Sequence, residues 1–182
     1  METLQSIKDR IPDYAKDLRL NLDAVLNRSS LTPAQASAAA LAAAFAAKSP
    51  PLVAALRDGG LDAVQAQAAL TAAALMGMNN IWYPYVEMAA DTELKTLRPE
   101  LRMNAYATHG GVDRTSFELY ALAASIVGKC EFCIQSHYKL LRENGFGTQQ
   151  LRDVGRIAAV VNAVAQVLAV ERAETPEAVA NE

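Results

Sequence analysis

The amino-acid sequence predicts an all-α fold, and three observations support this prediction. Alanine, the best helix former, accounts for 36 of the 182 residues. Apolar residues recur at helical spacing, whereas β-branched residues are sparse and no segment has the pattern of a strand. Prolines, glycines and capping residues divide the chain into helix-length segments. With 52% hydrophobic residues, the chain is expected to form a single domain over 1–182 with a buried core.

Prolines and caps delimit the predicted helices of the first half of the chain. Pro12 ends a short first helix, and Thr32 followed by proline is typical of a helix start. Ser49-Pro50-Pro51 separates two more helices. Asp62 is a candidate N-cap, and a long apolar helix follows it to about Met88.

Four helices are predicted in the second half, over about 97–107, 113–127, 130–144 and 148–172. Gly128-Lys129 makes the short break between the second and third of these. The tail over 174–182 is expected to be frayed.

Two segments, over about 59–88 and 110–144, resemble copies of one structural unit. Gly59-Gly60-Leu61-Asp62 matches Gly110-Gly111-Val112-Asp113, and the same offset of 51 residues pairs Gly77 with Gly128. The matches predict an internal two-fold repeat of a helical hairpin, with Gly77 and Gly128 ending equivalent helices. The alternative is a chance similarity between two alanine-rich helices.

The candidate reactive groups all lie in the second copy. Both cysteines of the chain form one Cys-x-x-Cys unit, Cys130 and Cys133, and His137 follows four residues later. On a helix, these three side chains share one face. A helix start favours a thiolate, and the spacing is typical of a dithiol oxidoreductase. In the first copy, these positions are held by Asn79, Trp82 and Val86.

Glu118 is predicted to lie close to His137. If the chain turns at Gly128, both residues are roughly 14 Å from the turn on antiparallel helices. A carboxylate on one imidazole nitrogen would fix the tautomer and raise the basicity of the other nitrogen, which could take the Cys133 proton directly or through one water. The alternative is that Glu118 caps its own helix, because Thr115-x-x-Glu118 fits a capping box.

Other interpretations of the same side chains stay open. The cysteines and His137 could be zinc ligands, with His109 or Glu118 as the fourth, or the cysteines could be inert core residues. His109 is otherwise expected to be an exposed loop histidine. The aromatic side chains of the first copy are expected to be core or subunit-contact residues, namely Trp82, Tyr83 and Tyr85.

Composition and charge exclude several classes of protein. A net charge of −3 argues against a nucleic-acid partner, because phosphate neutralisation needs clustered lysine and arginine. Two cysteines cannot staple a secreted scaffold of this size. No signal-peptide pattern is present, and the uncharged run between Arg28 and Lys48 is too weakly hydrophobic for a membrane span. A cytoplasmic protein is expected. Without a phosphate-binding glycine loop, no bound cofactor is expected, and a resident metal is not expected because structural metal sites usually bring ligands from two separated loops.

At Glu118, the two cysteines and His137, the sequence resembles the AhpD family, the alkyl hydroperoxidase D proteins of the carboxymuconolactone decarboxylase superfamily. The family motif of a Glu, then Cys-x-x-Cys, then x-x-x-His is matched by Glu118, Cys130, Cys133 and His137. The resemblance covers essentially the whole chain and includes the segments 12–17, 76–80 and 97–104.

The resemblance implies an all-helical fold with an internal repeat, assembly as a trimer, and a redox-active Cys130–Cys133 disulfide. It also implies that the protein reduces hydroperoxides or an oxidised AhpC-type peroxiredoxin. The electrons would come from the lipoyl group of a lipoylated protein of a 2-oxo-acid dehydrogenase complex. Some members carry a second histidine between the cysteines, and here that position is Phe132, which puts the role of a second histidine in doubt.

The order of attack is a separate hypothesis. Cys133 is four residues from His137 on the helix, so it is predicted to be the attacking thiol and Cys130 the resolving one. Position at the helix start alone would favour Cys130 as the attacking thiol. The rival functions are a non-redox decarboxylase or lactone-ring enzyme of the same superfamily, a zinc-stabilised interaction module, and a redox sensor without turnover.

Overall fold

The computed structural model describes residues 2–174, and every regular element within this range is helical. Its helices are α1 (Leu4–Asp9), α2 (Asp17–Asn27), α3 (Pro33–Ala46), α4 (Pro50–Arg57), α5 (Ala63–Met88), α6 (Asn104–Ala107), α7 (Arg114–Gly128), α8 (Glu131–Glu143) and α9 (Thr148–Glu174). Single 3₁₀ turns cover Asp13–Ala15, Leu94–Thr96 and His109–Gly111. The predicted all-α class is confirmed. Of the predicted frayed tail, Glu174 ends α9 and the rest lies outside the described residues.

The capping signals place the starts of the long helices correctly. Thr32 forms a capping box with Gln35, and Pro33 is the first residue of α3. The Asp62 carboxylate accepts hydrogen bonds from the first backbone N–H groups of α5, which would otherwise have no partner. Ser49 is the N-cap of α4.

The helix predicted over 97–107 is wrong in its first seven residues. The structure is helical only over Asn104–Ala107. Proline disfavours helical backbone in the residue before it, so Pro99 stops a helix at Arg98. Glu100 then takes a left-handed conformation with φ 52°. The segment is therefore a loop, and it carries Tyr106 to the side of α7.

The core is built on α3, α5 and α7, which pack against one another, and α9 packs on α3 and α7. Helix α3 is buried nearly all round, and its buried residues are alanines except for Leu41. Small side chains let the neighbouring backbones approach closely. At Gly128, a Cβ would lie 2.1 Å from the side-chain amide nitrogen of Asn80. Glycine there leaves the room that the Asn80 side chain of α5 occupies beside the end of α7.

The two segments of the predicted repeat differ at their central glycines. Helix α5 runs straight through Gly77, which therefore does not end a helix as expected. The chain breaks after Gly128 because Lys129 is left-handed, with φ 55°, and this separates α7 from α8. The duplication itself stays a prediction.

One helix of the described chain, over Thr148–Arg172, is long and apolar enough to cross a membrane by length and composition alone. This helix, α9, packs against α2, α3 and α7. It buries an apolar stripe at helical spacing in the core, which includes Val154, Ile157, Val161 and Val164. We interpret it as a core helix.

A buried carboxylate on α9 anchors the loop between α2 and α3. Asp153 is 2% exposed and accepts hydrogen bonds of 2.8 Å from both the backbone N–H and the hydroxyl of Ser30. Arg156 and Arg152 also donate to it, at 3.0 and 3.1 Å. Burial by itself raises the pKa of Asp153, but these hydrogen bonds outweigh it and hold the pKa well below its usual range.

Replacing Asp153 with asparagine is expected to lower the free energy of unfolding by about 2 kcal/mol, because charge-assisted hydrogen bonds are lost. The depressed pKa means that the contribution of Asp153 is complete above the ordinary aspartate pKa and declines as the pH falls below about 5. Urea unfolding of wild type and Asp153→Asn across this range should therefore converge at low pH. The control is Asp13→Asn, at a surface ion pair whose carboxylate is 93% exposed. Equal losses in both variants would refute the anchoring role.

Candidate active site

The two cysteines lie at the start of α8 and their sulfur atoms are 2.09 Å apart, in a disulfide bond. Cys130 is the N-cap residue of α8, and its Sγ accepts a hydrogen bond of 3.2 Å from the backbone N–H of Cys133. Cys130 is fully buried and Cys133 is 3% exposed. The sulfur of Cys130 also lies 3.9 Å from the backbone oxygen of Asn79 on α5. The pair therefore faces the interior, and Cys133 is the sulfur nearer to solvent.

The structure brings Glu118 of α7 beside His137 of α8. The Glu118 Oε2 and His137 Nδ1 atoms are 2.5 Å apart, and the residues are 1% and 7% exposed. The antiparallel arrangement expected from the turn at Gly128 accounts for this contact. The alternative in which Glu118 caps its own helix is wrong, because the N-cap of α7 is Asp113, which binds Ser116.

Glu118 has two further partners that hold its charge. The Tyr106 hydroxyl donates a hydrogen bond to Oε1, and the Arg114 side chain lies 3.8 Å from the same oxygen. Burial alone raises the pKa of Glu118, but the hydrogen bonds from His137 and Tyr106 outweigh this effect and lower it. The carboxyl group is therefore ionised at neutral pH. Burial, with the bond to this carboxylate, raises the pKa of Tyr106 to about 12, so the tyrosine stays a donor.

Sequence reasoning missed Tyr106. The residue lies 12 positions before Glu118, in the segment that was predicted as a continuous helix. No spacing pattern links it to the cysteines, because its position depends on the loop that Pro99 and Glu100 create.

The second nitrogen of His137 faces a methionine. Its Nε2 lies 3.2 Å from the Sδ atom of Met76, which is 1% exposed on α5. Since the ionised Glu118 carboxylate can only accept, the proton of the neutral imidazole lies on Nδ1 and the lone pair on Nε2. His137 thus presents the basic nitrogen on the side away from Glu118, toward Met76.

His109 does not belong to this site as a ligand. It is half-buried in a 3₁₀ turn, and its ring lies 5.9 Å from that of Phe117 and 6.0 Å from that of Tyr106. The expectation of an exposed loop histidine is wrong, because the turn folds the ring onto these aromatics. Within residues 2–174, no three histidine, cysteine or acidic side chains are grouped so that they could hold a metal ion.

The aromatics near the end of α5 are not core residues, since Trp82 and Tyr83 are half-buried and Tyr85 is exposed, and the alternative of a subunit contact stays a prediction. Tyr85 is 52% exposed, and the Tyr83 ring stacks on Phe132 with centroids 4.3 Å apart. With the 94–99 loop and the outer side of α8, Trp82 and Tyr83 line a groove of about 680 Å³. Neither cysteine lines it, since Cys130 and Cys133 occupy the inner face of α8.

Comparison with known proteins identifies the family. Residues 92–174 match the model of the carboxymuconolactone decarboxylase family, and this range includes the whole candidate site except Met76. The chain is 44% identical over 174 residues to the alkyl hydroperoxide reductase AhpD of Rhodospirillum centenum, covering 94% of this chain and 93% of the relative.

Two further relatives with the same description agree with this match. The protein of Coxiella burnetii is 42% identical, over 92% of this chain and 98% of its own length. That of a Bradyrhizobium strain is 40% identical, over 90% and 91%. Similarity at this level over nearly the full length of each chain shows that the protein belongs to the AhpD family.

Proposed function

We propose that the protein is a cytoplasmic thiol-dependent peroxidase and disulfide reductase. It takes two electrons from a dihydrolipoyl group and passes them, through Cys130 and Cys133, to a hydroperoxide or to an oxidised AhpC-type peroxiredoxin. The observation that carries the proposal is the Cys130–Cys133 disulfide on the helix face that also carries His137, which is bound to the ionised Glu118. The relatives' description as alkyl hydroperoxide reductases supports it. Assembly as a trimer belongs to the same proposal.

The reductive half begins at Cys133, the more accessible sulfur. A lipoyl thiolate attacks its Sγ, the Cys130–Cys133 bond breaks, and the electron pair leaves on Cys130. The backbone N–H that already points at the Cys130 sulfur stabilises this thiolate. The second lipoyl thiol then closes the lipoyl disulfide and releases Cys133, which exchanges its proton with Nε2 of His137.

In the oxidative half, the two thiols pass the electrons that they received to the acceptor. The Cys133 thiolate attacks the hydroperoxide, the O–O bond breaks, and the alcohol leaves with a proton from His137. Cys133 is then a sulfenic acid, and Cys130 attacks its sulfur, releases water and restores the disulfide. With a peroxiredoxin disulfide, Cys133 forms a mixed disulfide instead, and Cys130 displaces the reduced partner.

The proposal is tested by following hydroperoxide consumption with dihydrolipoamide as the reductant, with and without an AhpC-type peroxiredoxin. Turnover that requires dihydrolipoamide and rises with the peroxiredoxin supports the function. Peroxide consumption at the uncatalysed rate under both conditions would refute it.

A further inference from the structure

We propose that Tyr106 is a positioning residue, whose hydroxyl fixes the Glu118 carboxylate in the orientation in which that carboxylate binds Nδ1 of His137. The inference rests on the proposed function, because it assumes that the Glu118–His137 pair works in turnover. Tyr106 lies on α6, outside the helices that carry the cysteines, the histidine and the glutamate.

The two oxygens of the Glu118 carboxylate have separate partners. Oε1 accepts the hydrogen bond from the Tyr106 hydroxyl, and Oε2 lies against Nδ1 of His137. The terminal torsion of a glutamate side chain is soft, so a carboxylate that is bound through one oxygen can rotate. Binding at both oxygens removes this freedom. Since Glu118 is 1% exposed, the loss of the donor at Oε1 would leave a buried charge with one partner fewer.

Packing holds the Tyr106 ring independently of its hydroxyl. The ring lies edge-on to that of Phe117, with centroids 5.6 Å apart, and its centroid is 6.0 Å from that of His109. Aromatic pairs in this geometry attract each other without a hydroxyl group. Replacing Tyr106 with phenylalanine therefore keeps the ring in place and removes the donor alone.

Tyr106 is the close donor to Oε1 of Glu118. The Arg114 side chain lies 3.8 Å from the same oxygen but is 60% exposed, so solvent screens its charge. Burial and the neighbouring carboxylate raise the pKa of Tyr106 to about 12, so its hydroxyl keeps its proton at neutral pH. Tyr106 thus supplies Glu118 with a donor that is always present when the site works.

The test is a double-mutant cycle on the dihydrolipoamide-dependent turnover of a hydroperoxide. Tyr106→Phe should slow turnover about tenfold, the effect of one lost hydrogen bond to a charged group. In a Glu118→Gln background, the same change should slow turnover less than about twofold further, because the charge on which Tyr106 acts is gone. Equal factors in the two backgrounds would show a role independent of Glu118 and overturn the proposal.

The matched control is Tyr120→Phe, which removes a buried tyrosine hydroxyl on α7 that interacts with Ser116 instead of Glu118. It should leave turnover unchanged, and a loss equal to that of Tyr106→Phe would also overturn the proposal. The single variant Glu118→Gln separates the two hypotheses. If it turns over hydroperoxide as fast as wild type, the acid–base pair in the proposed function fails, and the position of Tyr106 is then judged by the measurement below.

A second measurement needs neither peroxide nor a lipoyl substrate. The chain has two histidines, so nitrogen labelling and a His109→Gln variant assign the Nδ1 proton of His137 in NMR spectra. In Tyr106→Phe, this proton should exchange with water about tenfold faster than in wild type, because a carboxylate bound at one oxygen releases it more often. Tyr120→Phe should keep the wild-type exchange rate. An unchanged rate in Tyr106→Phe would contradict the positioning role.

Discussion

Replacing Cys133 with serine is expected to abolish the dihydrolipoamide-dependent reduction of hydroperoxides. A serine hydroxyl at neutral pH is neither a thiolate nor able to form a disulfide, so both half-reactions stop. The turnover assay with dihydrolipoamide and an organic hydroperoxide checks this result. Retained turnover close to that of wild type would refute the role of Cys133.

The matched variant, Cys130→Ser, separates attack from resolution. Turnover should also stop, but Cys133 remains able to react once, and mass spectrometry should find a sulfenic acid or a mixed disulfide on it. Cys133→Ser should form no such adduct on Cys130 at a comparable rate. The two assignments are true rivals, because the hydrogen bond from the Cys133 N–H to the Cys130 sulfur also stabilises a Cys130 thiolate, which could attack first. A faster adduct on Cys130 would reverse the assignment.

Replacing Glu118 with glutamine is expected to slow turnover about 100-fold, the range of a lost acid–base effect. The amide removes the negative charge that stabilises protonated His137, and it can donate to Nδ1 and reverse the tautomer. Because the pKa of Glu118 is lowered, wild type has this charge throughout the neutral range. In the variant, thiolate formation needs a higher pH, so the rising limb of the pH–rate profile should move upward.

The control for this variant is Glu131→Gln, which removes a carboxylate between the two cysteines in sequence. Glu131 is exposed and bonds to Gln135 instead of His137. Its replacement should leave the profile in place. An unchanged profile for Glu118→Gln, or an equal shift for Glu131→Gln, would reduce Glu118 to a structural residue.

The parts of the site that sequence reasoning reaches are those that local periodicity controls. Cys130, Cys133 and His137 share a face because they lie on one helix with spacings of three and four. Glu118 follows from counting residues on either side of the turn at Gly128. That count works because α7 and α8 are regular, antiparallel helices on either side of the break at Lys129.

The remaining parts depend on long-range packing. Met76 is 61 residues from His137, and its contact depends on how closely α5 approaches α8. Tyr106 reaches Glu118 because the chain over 98–100 is not helical. Pro99 is a sequence signal for this break, but where the loop then places Tyr106 depends on packing. The groove beside Phe132 likewise arises where that loop lies against the end of α5.

The central claim is that Cys130 and Cys133 act as one two-electron carrier. The most direct test is quenched alkylation with mass spectrometry, first after dihydrolipoamide is added and then after an equimolar hydroperoxide. We expect both cysteines to become alkylatable together on reduction and to lose reactivity together as the alcohol forms. Peroxide reduction while both thiols stay alkylatable, or a change at one cysteine only, would contradict the claim.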